Sequence, residues 1–453
     1  MITLRRSVAA LTCTVIFATS IPSAVLAVEL PFPDMEESWF AYRDSVAYLK
    51  AKNVIGGYED GTFRPKATVN RAEFLKIVFS ARKGPTPVEG SCFPDVVEGS
   101  WYAPFVCAAA RRGIVNGYPD GTFHPDDPVN IAEALKIVLK AYGQDTGEEK
   151  VGEHWYDPYV SYLDRADILR RSSYLPWEPL TRERAADVIV RMLKSEEGES
   201  SQSRSKGCTV RTGESDGKVT VQGQERTFLF DLPPGNSTEP RPLIVAFHGR
   251  TNAAERVRGY YGLTREARSY MVAYPQALET KPGSHTWNDP QGEFAADIPM
   301  FDAVVEELAS RYCVDLDRIY VVGHSLGAWM ANTVACVRGG AVRASATVGG
   351  DGAKVTCAGP TAALIVHHQR DNLASFASAE RQRDHRLTTN ACTFASKPVA
   401  PELWNCVQYD GCDRGSEVTW CPHEIDIDGQ GNNYPHQWPE GAGREIVRFF
   451  ESL

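Results

Sequence analysis

Hydrophobic periodicity changes character once along this chain, near residue 200. Upstream, apolar residues recur at helical spacing: Val46, Leu49 and Ile55 in one segment, Phe74, Ile77 and Val78 in another. A period near 3.6 predicts amphipathic helices that bury one face. Downstream, short runs at residues 226–232, 243–247, 270–274, 319–322, 344–348 and 363–367 are rich in β-branched and aromatic side chains. Such runs predict strands, with those at 243–247 and 319–322 buried on both faces as in a parallel sheet. Helical patterns fall between and after them, over residues 301–312 with Val304, Val305 and Leu308 in phase, and over 444–453. Strands alternating with helices predict a doubly wound, mostly parallel α/β sheet. The expected architecture is multidomain: a mostly α-helical unit followed by an α/β domain.

The helical part repeats itself. Phe32 and Trp39 are matched by Phe93 and Trp101; Tyr58, Asp60, Gly61, Thr62, Phe63 and Pro65 by Tyr118, Asp120, Gly121, Thr122, Phe123 and Pro125. Val69, Asn70 and Glu73 are then matched by Val129, Asn130 and Glu133. A shorter third copy starts at His154 and Trp155 and resumes at Pro179 and Thr181, without the Tyr-x-Asp-Gly-Thr-Phe segment. In each full copy the Asp-Gly pair predicts a tight turn. Asn70 and Asn130, each with glutamate three residues on, predict a capping box. One copy is too small for a core, so three are expected to pack together, over residues 32–82, 93–143 and 154–194. The turns at Asp60 and Asp120 are too short for calcium loops.

Composition narrows the setting. The 453 residues are 43% hydrophobic and 23% charged, which suits two or three globular domains. A net charge of −10 argues against a nucleic-acid partner. Arg5, Arg6 and the apolar stretch over residues 8–21 predict a secretory signal ending at Ala27, with no membrane span once it is removed. Of 11 cysteines, Cys13 lies in that signal and the other ten form an even set, so disulfides are expected in an exported protein. Cys92 and Cys107 are the readiest pair. Residues 28–194 then form the repeat unit, 195–207 a polar, flexible linker, and 208–453 the α/β domain.

The α/β domain carries the chemistry. Residues 319–322 read as a strand, Gly323, His324, Ser325, Leu326 and Gly327 form a G-x-S-x-G pattern, and Ala328 onward can continue as a helix. Strand, tight turn and helix make the setting of a nucleophile elbow, with Ser325 the nucleophile of an α/β-hydrolase sheet. Chain order then calls for an acid and a base. Asp371 follows a late strand, whereas Asp351 comes one strand early and Asp384 falls within a helix. His436 lies on a loop before the last helix; His423 falls in an expected strand over 418–427. The oxyanion donors are expected to be the backbone N–H groups of Leu326 and Arg250. No cofactor or metal is implied.

Two resemblances extend this reading. The repeats resemble S-layer homology repeats, which usually come in threes. That implies attachment to cell-wall polysaccharide, with Arg71 and Arg182 reading an acidic sugar; Ile131 replaces the arginine in the second copy. Residues 208–453 are similar to the secreted polyhydroxybutyrate depolymerase and feruloyl esterase group, through residues 242–249, Tyr274–Pro275, Trp287, residues 317–328 and the segment from His436 to Pro439. Pro435 stands where the group carries glycine. The resemblance implies hydrolysis of esters on plant cell-wall polysaccharide, of feruloyl or acetyl xylan type, or of polyester. Trp287 and Trp438 are candidates for an aromatic acyl site or for core packing. The remaining alternative is a surface-layer or adhesin protein with an inactive hydrolase domain.

Overall fold

The computed structural model describes residues 30–36, 38–82, 91–144, 146–147, 154–165, 168, 175–197, 205–208, 215–235, 238–287, 297–352, 355–401, 404–413, 415–427 and 434–453. The expected signal lies outside them, as does the middle of the expected linker.

The repeat unit contains α1 (Phe40–Ala51), α2 (Arg71–Ala81), α3 (Ala103–Arg111), α4 (Ile131–Ala141), α5 (Asp157–Arg165) and α6 (Arg182–Glu196). Asn70 Oδ1 accepts from Glu73 N at 2.7 Å while Glu73 Oε2 accepts from Asn70 N at 3.1 Å, and Asn130 with Glu133 repeats the box. Helix α1 stops at Ala51, because Asn53 turns to a φ of 55°; Ile55, expected on its apolar face, lies beyond it. The copies close in a ring: α2 packs on α3, α4 on α5, and α6 on α1. At the centre three backbone hydrogen bonds run head to tail, from Val69 N to Leu180 O, Leu180 N to Val129 O, and Val129 N to Val69 O. The first free N–H groups of α2, α4 and α6 donate to carbonyls of a neighbouring copy, for example Arg71 to Asp127 and Arg182 to Ala67. Each helix start thus leans on another copy, and a copy taken alone would lose these hydrogen bonds.

The second domain contains β1 (Lys218–Val221), β2 (Gln224–Asp231), β3 (Arg241–Phe247), α7 (Ala254–Tyr260), α8 (Leu263–Glu266), β4 (Met271–Pro275), β5 (Leu278–Lys281), β6 (Ser284–Thr286), α9 (Ile298–Arg311), β7 (Val314–His324), α10 (Leu326–Val337), β8 (Ala344–Val348), β9 (Ala362–His368), α11 (Phe376–Thr389), β10 (Ser396–Pro398), β11 (Val407–Tyr409), β12 (Val418–His423) and α12 (Ala442–Glu451). Its main sheet runs β1-β2-β4-β3-β7-β8-β9-β12-β11-β10. The inner strands from β4 to β12 are parallel, and both edges are antiparallel. Strands β3, β7, β8 and β9 are buried along nearly their whole length, as their continuous apolar runs require. Strand β12 ends at His423, four residues short of expectation. Disulfides join Cys92 to Cys107, Cys208 to Cys313, Cys336 to Cys357, Cys392 to Cys412 and Cys406 to Cys421.

The two parts meet through a buried seam. Trp39, Phe40, Ala41 and Tyr42 enter the apolar cluster under the sheet, where Trp39 stacks on Phe301 at 5.8 Å. Arg191 donates to both carboxylate oxygens of Asp317 at 2.7 and 2.8 Å and lies 3.6 Å from Asp187, all three buried. Arg43 donates to Glu306 at 2.6 Å. The stretch expected as a linker begins inside α6, and its far end docks: Ser205 Oγ donates to Tyr312 O at 2.6 Å and accepts from Val314 N at 2.9 Å. Its polar composition concealed this, because the partners are backbone groups of the second domain.

Candidate active site

Ser325 stands between β7 and α10 with φ 57° and ψ −126°, a conformation that non-glycine residues rarely adopt. Its glycine neighbours permit the bend. A Cβ on Gly323 would lie 2.0 Å from Gly327 O, and one on Gly327 would lie 2.2 Å from Phe247 O at the end of β3. Any side chain at either position collides with backbone, so strand and helix meet this closely only through glycine.

The turn lifts the serine oxygen toward the loop before α12. His436 Nε2 is 2.8 Å from Ser325 Oγ, and His436 Nδ1 is 2.6 Å from Asp371 Oδ2. A carboxylate against Nδ1 puts the proton there and leaves Nε2 to accept from the hydroxyl. The other carboxylate oxygen of Asp371 accepts from Leu373 N at 2.8 Å and Ala374 N at 2.9 Å. Burial alone would raise the Asp371 carboxyl, but the hydrogen bonds from His436, Ala374 and Leu373 outweigh it and hold its pKa below the ordinary carboxylate value. It therefore stays charged and orients the ring. The competitors lie elsewhere: Asp351 faces Arg381 at 3.7 Å, Asp384 accepts from Arg383 at 2.8 Å, and His423 is buried against His368.

The loop after β3 passes beside the serine. A Cβ on Gly249 would lie 3.4 Å from Ser325 Cβ, and Arg250 follows it in the turn. Three side chains fix this loop. Trp287 Nε1 donates to His248 O at 2.8 Å, Ala277 N donates to His248 Nε2 at 3.1 Å, and Tyr261 Oη donates to Phe247 O at 2.9 Å. Tyr261 Oη also accepts from His324 N at 3.0 Å, tying the ends of β3 and β7 together. Burial drives the His248 pKa down to about 4, so it stays neutral and its Nε2 remains an acceptor.

Trp287 and Trp438 are only 1% and 3% exposed. Trp438 stacks on Tyr261 at 4.0 Å. Both indoles pack within the protein, Trp287 against Phe247 and His248 and Trp438 against Tyr261, the core-packing arrangement of the two that were expected. Sequence reading passed over Tyr261 and His324. Nothing in their local spacing marks them, although His324 lies inside the G-x-S-x-G pattern. His324 Nδ1 is 3.0 Å from Tyr260 Oη, and its ring centroid is 5.0 Å from that of His436. Burial, reinforced by His436, takes its pKa to about 3.

In the repeat unit, Arg71 and Arg182 occupy equivalent positions. Arg71 Nε donates to Phe123 O at 2.9 Å, its guanidinium lies between Tyr118 and Phe123, and Nη1 is 3.1 Å from Glu133. Arg182 Nε donates to Phe63 O at 2.8 Å, between Tyr58 and Phe63. Each arginine reaches from one copy into the turn of another. Among the described residues no cluster of three or more histidine, cysteine, aspartate or glutamate side chains is placed to hold a metal ion, and no helix is long and apolar enough to cross a membrane.

Residues 31–75 and 93–135 match the S-layer homology domain, and residues 223–439 match the alpha/beta hydrolase family. The chain is 28% identical over 273 residues to feruloyl esterase D of Neurospora crassa, covering 54% of this chain and 88% of that protein. It is 29% identical over 154 residues to a cellulosome-anchoring protein of Acetivibrio thermocellus, covering 32% of this chain and 34% of that protein. Among solved structures, an acetyl xylan esterase from Aspergillus awamori overlaps 50% of this chain and 94% of its own at 12% identity, with a TM-score of 0.40.

Proposed function

We propose that this chain, which joins S-layer homology repeats to a domain of the alpha/beta hydrolase family, is a cell-surface esterase in which Ser325 is the nucleophile, His436 the general base and Asp371 its orienting acid. The observation that carries the reading is the unbroken line of short hydrogen bonds from Ser325 Oγ through His436 to Asp371. His436 Nε2 takes the hydroxyl proton as Oγ attacks the ester carbonyl carbon. The oxyanion accepts from the amides of Leu326, at the positive end of α10, and Arg250. Collapse of the intermediate expels the alcohol, which receives the proton from His436, and leaves an acyl-serine. Water, deprotonated by the same ring, attacks the acyl carbon and releases acid and enzyme.

Esters carried on plant cell-wall polysaccharide, feruloyl or acetyl, are the proposed substrates; the similarity to a feruloyl esterase over most of that protein's length favours them above a polyester. Fluorophosphonate labelling and assays on methyl ferulate, acetylated xylan and hydroxybutyrate oligomers test this. Labelling is expected at Ser325 alone and lost in Ser325→Ala, with the ferulate or xylan ester turned over fastest. Turnover retained in folded Ser325→Ala would remove the assignment.

The repeats hold the protein on cell-wall polymer, with Arg71 and Arg182 proposed as ligands for an acidic sugar. Arg182 is the stronger of the two, because Arg71 already faces Glu133. Retention on isolated cell walls is expected to drop in Arg182→Gln more than in Arg71→Gln; equal retention by both folded variants and the parent would exclude that role.

A further inference from the structure

Beside the Asp371–His436 pair stands a second histidine against a carboxylate, with no part in the proposed reaction. His368 closes β9 and is only 1% exposed. Its Nδ1 accepts from Arg370 N at 2.9 Å, so the ring proton sits on Nε2. That Nε2 lies 2.9 Å from Asp426 Oδ1. The approach is oblique, a carboxylate charge against an N–H dipole more than a directed hydrogen bond. The other oxygen of Asp426 accepts from Arg370 Nη2 at 2.6 Å. Arg370 is 66% exposed there, so water screens that pair and it contributes little. The His368 contact is the sheltered one.

Arg370 directly precedes Asp371, so Asp426 reaches the loop that carries the acid. The same short segment bears the base. Tyr434 N donates to Asp426 O at 2.8 Å and Gln437 Nε2 donates to Ile425 O at 3.3 Å, so residues 425 and 426 hold the chain on both sides of His436. Ile425 N in turn donates to His423 Nδ1 at 3.2 Å, at the end of β12. Strands β9 and β12 are parallel neighbours, with His368 and His423 in register. The acid loop and the base loop therefore leave the sheet side by side and then run separately. Loops shift more readily than strands, and a shift of either one opens the 2.6 Å contact between Asp371 and His436.

We propose that His368 and Asp426 are positioning residues for the ester reaction: together they clamp the acid loop to the base loop and so hold Asp371, His436 and Ser325 in line. This rests on the triad assignment above.

The test is made on the full protein with 4-nitrophenyl acetate as the probe ester and fluorophosphonate labelling alongside. Asp426→Asn removes the charge and keeps the shape. His368→Asn keeps an acceptor for Arg370 N, because the asparagine oxygen stands where Nδ1 stood, and withdraws from Asp426. Each variant is expected to lose about tenfold in kcat and in labelling rate, with KM within about twofold of the parent, because the alignment matters when the proton moves and not when the ester binds. The double variant is expected to lose no more than either single one, since both cut the same tie. Arg370→Gln cuts only the exposed pair and is expected to lose less than about threefold. Losses that multiply in the double variant, KM raised at unchanged kcat, kcat within about twofold of the parent in either single variant, or a tenfold loss in Arg370→Gln overturns the proposal. A parent that takes no label at Ser325 would remove the esterase reading and the clamp with it; a labelled parent with unaltered variants removes the clamp alone.

Discussion

Ser325 holds a backbone conformation that its own side chain resists, and two glycines make that tolerable. Gly323→Ala or Gly327→Ala places a methyl about 2 Å from a carbonyl oxygen. Either is expected to destabilise the fold by about 1–3 kcal/mol and to remove labelling of Ser325, measured by urea unfolding and fluorophosphonate. A second residue-level prediction concerns pH. His248 titrates near 4, and His324 and His423 near 3, each lowered first by burial. The unfolded chain, with histidines near 6.5, binds more protons between those values, so stability is fully present above about 6.5 and falls as pH drops toward 4. The urea midpoint is expected to decline over that window, and less steeply in His423→Gln. The elbow was legible because its signal is local: apolar strand, two glycines, helix. Asp371 and His436 were legible from their order relative to strands. The setting of Trp287 and Trp438 was not, because whether an indole faces a pocket or a core depends on neighbours distant in sequence.

At the level of elements, the loop after β3 depends on one indole N–H. Trp287→Phe keeps the ring against Phe247 and frees His248 O, which loosens the turn carrying Arg250. Turnover is expected to fall about tenfold with little change in KM if the Arg250 amide serves the oxyanion as proposed, because such a donor is needed most when the oxyanion forms. A matching loss of KM and turnover would point to a role in ground-state binding instead. In the repeats, Asn70→Ala removes one capping box and should cost about 1 kcal/mol, read as a drop in melting temperature. These caps were visible in sequence, since the box is a four-residue pattern. The early end of α1 was not, because the turn at Asn53 carries no glycine or proline to announce it. The ring of backbone bonds at the repeat centre was equally hidden, since any residue can make it.

Across the whole molecule, the seam behaves as core and not as a hinge. Arg191, Asp317 and Asp187 are all buried, so Arg191→Met removes a buried cation from beside two carboxylates and should cost about 3–5 kcal/mol. A protease site placed between residues 198 and 204 and then cut is expected to leave the two halves co-eluting; separation in the parent, and not only in Arg191→Met, would contradict a fixed seam. Periodicity revealed two domains but not their docking, because Trp39 and Arg191 read as ordinary repeat residues until the other surface is seen. The run of β7 adds a directional consequence. Asp317, gripped by Arg191, lies near its start, and Ser325 follows its end, roughly 25 Å further on. The proposed ester site thus lies at the end of β7 opposite the seam with the repeats. A scissile ester can therefore reach Ser325 without passing between the repeats and the hydrolase domain.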